Sequence, residues 1–153
     1  MKTTHVSAIE TLNDLVKINN DRIEGYQKAV ELTANEDADL KELFNSMADE
    51  SRRYGNELTN YVNASGEEAE TGTRTDGKIY RVWMGIRAAI SGKDRKSILA
   101  SCERGEDAAQ KAYEEALKDE DLSGEERQMV QEQKNSLRVS HDKIKRLRDM
   151  QQS

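Results

Sequence analysis

The chain has 153 residues, a formal net charge of −6, 35% charged and 35% hydrophobic residues, nine glycines, one cysteine, one tryptophan and no proline. That length suits one domain, a single cysteine excludes a disulfide scaffold, and few β-branched residues with one Phe argue against an all-β sandwich. Leu, Ile, Val and Phe number only 27 together, so a solvated helical bundle competes with an acidic disordered chain, although the net charge is small for disorder.

Periodicity decides between the two. Ile9, Leu12, Val16, Asn19, Ile23, Tyr26 and Val30 recur at 3-4-3-4-3-4 spacing, a bundle seam held over three heptads. They predict a first helix over 7–33, with Ser7 or Thr4 as its cap. After a turn at 34–36, Leu40, Leu43, Phe44, Met47, Ser51, Tyr54, Leu58, Tyr61 and Val62 predict a second helix over 37–63, antiparallel to the first because the turn is short. Residues 64–77, rich in Gly and Thr, read as a loop. A short helix follows over 78–91, with Ile79, Trp83, Ile86 and Ile90 on one face, and Ser91-Gly92-Lys93 breaks it. The third long helix, 94–119, turns Ile98, Cys102, Gly105, Ala109, Ala112, Tyr113 and Ala116 inward. Ser123 caps a fourth over 124–150, which carries Met129, Val130, Gln133, Leu137, Ser140, Ile144 and Leu147. The fold expected is all-α, with two hairpins joined by residues 64–93. A connection that long spans a bundle lengthwise and makes the second and third helices parallel, the ferritin-like arrangement with a crossover that contains an additional short helix. An up-down-up-down bundle ranks second.

Polar residues interrupt these stripes. Asn19 and Ser51 lie about the same distance from the first turn and so at one height; Glu50 stands at that height on the stripe's edge. Cys102, Glu103 and Glu106 are mid-helix in the third helix, and Gln133, Ser140 and His141 in the fourth. An Asn in a seam is first of all a register device, and a buried polar layer requires hydrogen-bonded members. The tyrosines at stripe positions supply hydroxyls for which Glu50 and Glu106 are ready acceptors. Measured from the second turn, Glu103 is level with His141. On the helical wheel, Glu106 lies roughly 45° from the stripe centre and Glu103 roughly 105°. Height therefore pairs Glu103 with His141 and orientation pairs Glu106 with it; the two alternatives stay open. Cys102 reads as an inert small hydrophobe. The basic cluster Lys143, Lys145, Arg146 and Arg148 complements the helix dipole, and Glu67-Glu68-Ala69-Glu70 reads as solvated surface.

The stretches Leu12–Asp21, Arg81-Val82-Trp83, Cys102-Glu103-Arg104-Gly105-Glu106-Asp107, Tyr113 and His141-Asp142-Lys143-Ile144 resemble a bacterial family of ferritin-like four-helix-bundle proteins of unknown function. The resemblance covers nearly the whole chain and implies the fold above. Through the ferritin-like superfamily it also implies a carboxylate-bridged di-metal centre, with a Glu on two helices and Glu-x-x-His on the other two. This chain departs from that pattern. Three residues after Glu50 stands Arg53, and three before His141 stands Arg138, while Glu24 on the first helix lies off the stripe. Two or three of six ligands can be matched, which leaves Glu50, Glu103, Glu106 and His141 as candidates for a single reduced metal site.

The leading expectation is a non-enzymatic helical bundle, 1–153 as one domain, in a stress-related or protein-interaction role; the stress association is what the superfamily resemblance implies. The alternative is a metal-binding protein that takes iron or another divalent cation at the reduced carboxylate/His site. No phosphate loop, nucleophile elbow or second cysteine offers other chemistry. The acidic pI, about 5.1, argues against nucleic acid. No run of ~18 apolar residues spans a membrane, and the N-terminal segment is amphipathic and unlike a signal core. A cytoplasmic location follows as an expectation, with a homodimer through the crossover helix.

Overall fold

The computed structural model describes residues 2–64 and 95–151. Among these the chain is all-helical, with four helices and no strand: α1 Lys2–Leu32, α2 Ala38–Ala64, α3 Arg95–Leu117 and α4 Gly124–Met150. The expected short helix at 78–91, with Trp83 and Tyr80, lies outside the described residues.

Local chemistry fixes the helix ends. The Thr33 hydroxyl donates to the Ala29 carbonyl at 2.6 Å and its backbone N–H to the same oxygen at 3.0 Å, which closes the last turn of α1. Ser123 and Glu126 form a reciprocal capping box at the start of α4: Ser123 Oγ accepts from the Glu126 N–H at 3.0 Å, and Glu126 Oε1 accepts from the Ser123 N–H at 2.8 Å. Arg127 reaches back across the same turn and donates to the carbonyls of Leu117 and Asp119, at 2.6 and 2.7 Å, where α3 has run out of partners of its own.

Contacts between helices give the directions. Along α1, Thr11, Asn19 and Arg22 meet Asp119, Tyr113 and Glu106 in descending order, so α1 and α3 are antiparallel. Arg22 meets Met47 and Ser51 of α2, across the short 33–37 turn. Glu50 meets Ser140, Glu57 meets Gln133 and Tyr61 meets Glu125, so α2 and α4 are antiparallel as well. Arg95, first in α3, pairs with Asp37 at 3.1 Å and Asp39 at 2.8 Å, at the start of α2. The N-termini of α2 and α3 thus share one end of the bundle, and the two helices run parallel.

The apolar core is split along the bundle axis. One cluster, around Leu12, Leu15, Leu58, Val62, Ala112, Val130 and Leu137, fills the end near the α3–α4 turn. The other, around Tyr26, Leu40, Phe44, Ile98, Leu99 and Ile144, fills the opposite end. Between them lie Asn19, Arg22, Ser51, Glu106, Gln133 and Ser140, all buried.

The buried face of α1 differs in one respect from the stripe expected. Ile23 and Val30 are only partly buried, while Ala8, Leu12, Leu15, Asn19, Arg22, Tyr26 and Ala29 are sealed in. This second series has 4-3-4-3-4-3 spacing; it shares Leu12, Asn19 and Tyr26 with the first and stands one residue earlier at each alternate position. The reason is packing: α1 lies against both α2 and α3, so it buries a face wider than one seam.

Candidate functional site

Arg22 is wholly enclosed, and its guanidinium meets acceptors on every side. Nε donates to Glu106 Oε1 at 3.1 Å and Nη2 to Glu106 Oε2 at 2.8 Å, a bidentate pair across α1 and α3. Nη1 donates to Ser51 Oγ at 2.9 Å and to the Met47 carbonyl at 3.1 Å, and lies 3.0 Å from Glu50 Oε1. Nη2 also approaches Met47 Sδ at 3.4 Å. One turn along, the Tyr26 ring lies 5.2 Å from the guanidinium carbon, and its hydroxyl donates to Glu106 Oε2 at 2.6 Å. Glu50 in turn accepts from Ser140 at 2.9 Å and Tyr54 at 3.0 Å. This tier touches all four helices.

A second tier lies beside it. Asn19 Nδ2 donates to the Tyr113 hydroxyl at 2.9 Å, Tyr113 donates to Gln133 Oε1 at 2.7 Å, and Gln133 Nε2 donates to Glu57 at 2.9 Å. It too crosses from α1 through α3 and α4 to α2.

The electrostatics follow from enclosure. Burial works against a charged Arg22, but Glu106, Tyr26 and Glu50 outweigh it and hold the guanidinium protonated even more firmly than usual. Burial, reinforced by Glu106, pushes the Tyr26 and Cys102 protons well above their ordinary values. Cys102 is therefore an inert packing residue, in line with the sequence reading. Burial does the same for Tyr113.

The four residues expected to share a metal fall into two groups. Glu50 and Glu106 are both counter-ions of Arg22. Because a guanidinium already stands between them, the donor set of this layer does not fit a carboxylate-bridged metal pair. Glu103 and His141 come together elsewhere, at the α3–α4 edge, with Asp107 as a third member; one ligand atom from each lies within 4.8 Å of the others. Of the open alternatives, Glu103 is therefore the one near His141, and Glu106 is the one facing the core. Glu24 belongs to neither group and is half-buried on the side of α1.

His141 Nε2 is 2.5 Å from Asp107 Oδ1, and Nδ1 is 3.0 Å from Asp142 Oδ1. Burial lowers the imidazole pKa, but hydrogen bonds to Asp142 and Asp107 outweigh it and raise the value above 6.5. Glu103 is 9% exposed; its Oε2 lies 2.6 Å from Arg148 Nη1 without the alignment of a hydrogen bond.

Sequence reasoning missed Arg22 and Asp107. Arg22 was detectable in the offset 4-3-4-3-4-3 series, where it is flanked by Asn19 and Tyr26. Asp107 was detectable as the i+4 neighbour of Glu103 on one helix face.

Among the described residues the geometry defines four helices with an ionic layer between two apolar clusters. Residues 7–119 match the model of a family described as Domain of unknown function (DUF2383), and the chain belongs to that family. No curated protein and no solved structure matches it.

Proposed function

We propose that the chain is a non-enzymatic helical bundle of the ferritin-like type, a single bacterial cytoplasmic domain with a stress-related or protein-interaction role. One observation carries this reading: the centre of the bundle is taken by Arg22, whose guanidinium uses both central carboxylates as counter-ions. The layer orders the fold and leaves any partner to be recognised by the surface. The test is a titration of the purified protein with Fe(II), alongside Glu50→Gln and Glu106→Gln. The expected result is that both variants lose stability and neither changes iron affinity. Iron binding tighter than ~100 μM (about 5.5 kcal/mol) that disappears in either variant would overturn the reading.

A second reading, a metal-binding protein with a reduced carboxylate/His site, is favoured by the approach of Glu103, Asp107 and His141. It places the metal at the α3–α4 edge, away from the central layer.

A further inference from the structure

We propose that Glu103, Asp107 and His141 bind one first-row divalent cation of the zinc type, with Asp142 orienting the imidazole and Arg148 as the resident cation it displaces. The proposal rests on the second reading above and names its ligands. Glu103 and Asp107 are i, i+4 on α3 and so lie on one face, while His141 comes from α4 across the seam. Two carboxylates and one imidazole form a mixed oxygen–nitrogen set suited to zinc, iron(II) and manganese.

Two further observations point to a ligand. Glu103 is nine-tenths buried, yet its Oε2 has no hydrogen bond, and the nearby Arg148 sits at 2.6 Å without alignment. The charge on Glu103 is balanced only by that ion pair, from the partly exposed end of a long side chain, which an incoming metal ion can replace. On the far side of the ring, Nδ1 lies 3.0 Å from Asp142 Oδ1 while Nε2 faces Asp107, so a bound cation would take the place of the Nε2 proton. A carboxylate behind an imidazole is how proteins fix the tautomer of a metal-binding histidine. Asp107 is half-exposed, so the cation has a path from solvent.

Zinc is the probe, because nitrogen–oxygen sites bind it more tightly than iron(II) or manganese. Full-length protein stripped with chelator is titrated calorimetrically with Zn(II), and its melting temperature is followed with and without the ion. The expected result is one equivalent bound tighter than ~100 μM (about 5.5 kcal/mol) and a zinc-dependent rise in melting temperature. Asp107→Asn and His141→Gln abolish both effects. Asp142→Asn weakens binding roughly tenfold to a hundredfold. Arg148→Gln strengthens it, because the metal no longer competes with the guanidinium for Glu103. Asp107→Asn and Arg148→Gln alter partly exposed side chains, so folding is retained and circular dichroism verifies it. Failure to bind zinc overturns the proposal, as does binding indifferent to Asp107→Asn and His141→Gln. If the indifferent binding is lost instead in Glu50→Gln, the metal lies in the central layer, and both this ligand set and the edge placement of the second reading fall while metal binding itself stands. If Fe(II) and Mn(II) also fail to bind, the proposal and the second reading both fall.

Discussion

Arg22→Met would leave Glu106 with the Tyr26 hydroxyl as a remaining donor and Glu50 with Ser140 and Tyr54. Removing one partner of a buried ion pair costs about 3–5 kcal/mol, because the other charge stays buried without compensation. We expect a loss of that size in urea unfolding, and a smaller loss in Arg22→Met/Glu106→Leu, where the main carboxylate goes as well. A double-mutant cycle on these two positions measures the coupling. Tyr113→Phe is milder. It removes one hydroxyl that accepts from Asn19 and donates to Gln133, but Asn19 keeps its bond to the Leu15 carbonyl and Gln133 Nε2 keeps Glu57. The expected cost is about 1–2 kcal/mol, read from the same unfolding curves. Five members of the layer, Asn19, Ser51, Glu106, Gln133 and Ser140, were legible as polar interruptions of apolar stripes. Arg22 was legible only in the offset series, because Ile23 beside it satisfies an apolar seam and hydropathy prefers the isoleucine.

At the scale of the helices, one position inside α2 and one at the start of α4 tune stability. Gly55 lies inside α2, and a Cβ added there meets nothing within 4 Å. Gly55→Ala should raise stability by about 0.5–1 kcal/mol, since it lowers the backbone entropy lost on folding. Ser123→Ala removes half of the capping box at α4 and should cost about 1 kcal/mol. Thermal melts of the two variants, one up and one down, check both. The helices themselves were readable from spacing, because a 3.6-residue repeat survives in any helix that buries one face. Their relative rotation was harder. Height and wheel angle seemed to disagree over Glu103 and Glu106, yet each answered a different question: height found the neighbour of His141 at the seam, and the wheel found the residue that faces the centre. A helix that packs on two neighbours has room for both.

For the whole molecule, tyrosine ionisation sets an alkaline limit. Tyr26, Tyr54 and Tyr113 are held protonated above their ordinary range, chiefly by burial, and Tyr61 is pushed up to about 12, chiefly by its hydrogen bond to Glu125. In the unfolded chain these groups lose protons near pH ~10. Above that pH the folded state holds more protons than the unfolded one, so stability, complete below pH ~10, falls as the pH climbs toward 12. Phenolate absorbance in the folded protein should lag that of free tyrosine between pH 9 and 11 on this account, and Glu125→Gln should bring Tyr61 back toward 10. An absorbance rise with all tyrosines ionising together near pH ~10, before any loss of helix, would contradict it. The parallel run of α2 and α3 follows the long connection seen in the sequence, because only a short link would have forced those helices antiparallel.

The central layer has one more implication, for assembly between molecules. The layer spans the two hairpins: Arg22 of the first has one counter-ion in its own hairpin, Glu50, and a bidentate one in the second, Glu106, while Ser140 of the second donates to Glu50. A foreign helical hairpin laid against α1 and α2 would leave Arg22 with Glu50 but without its bidentate carboxylate. A hairpin from an identical chain would restore every contact. The buried arginine thus favours a second hairpin that carries the matching carboxylate over one that lacks it.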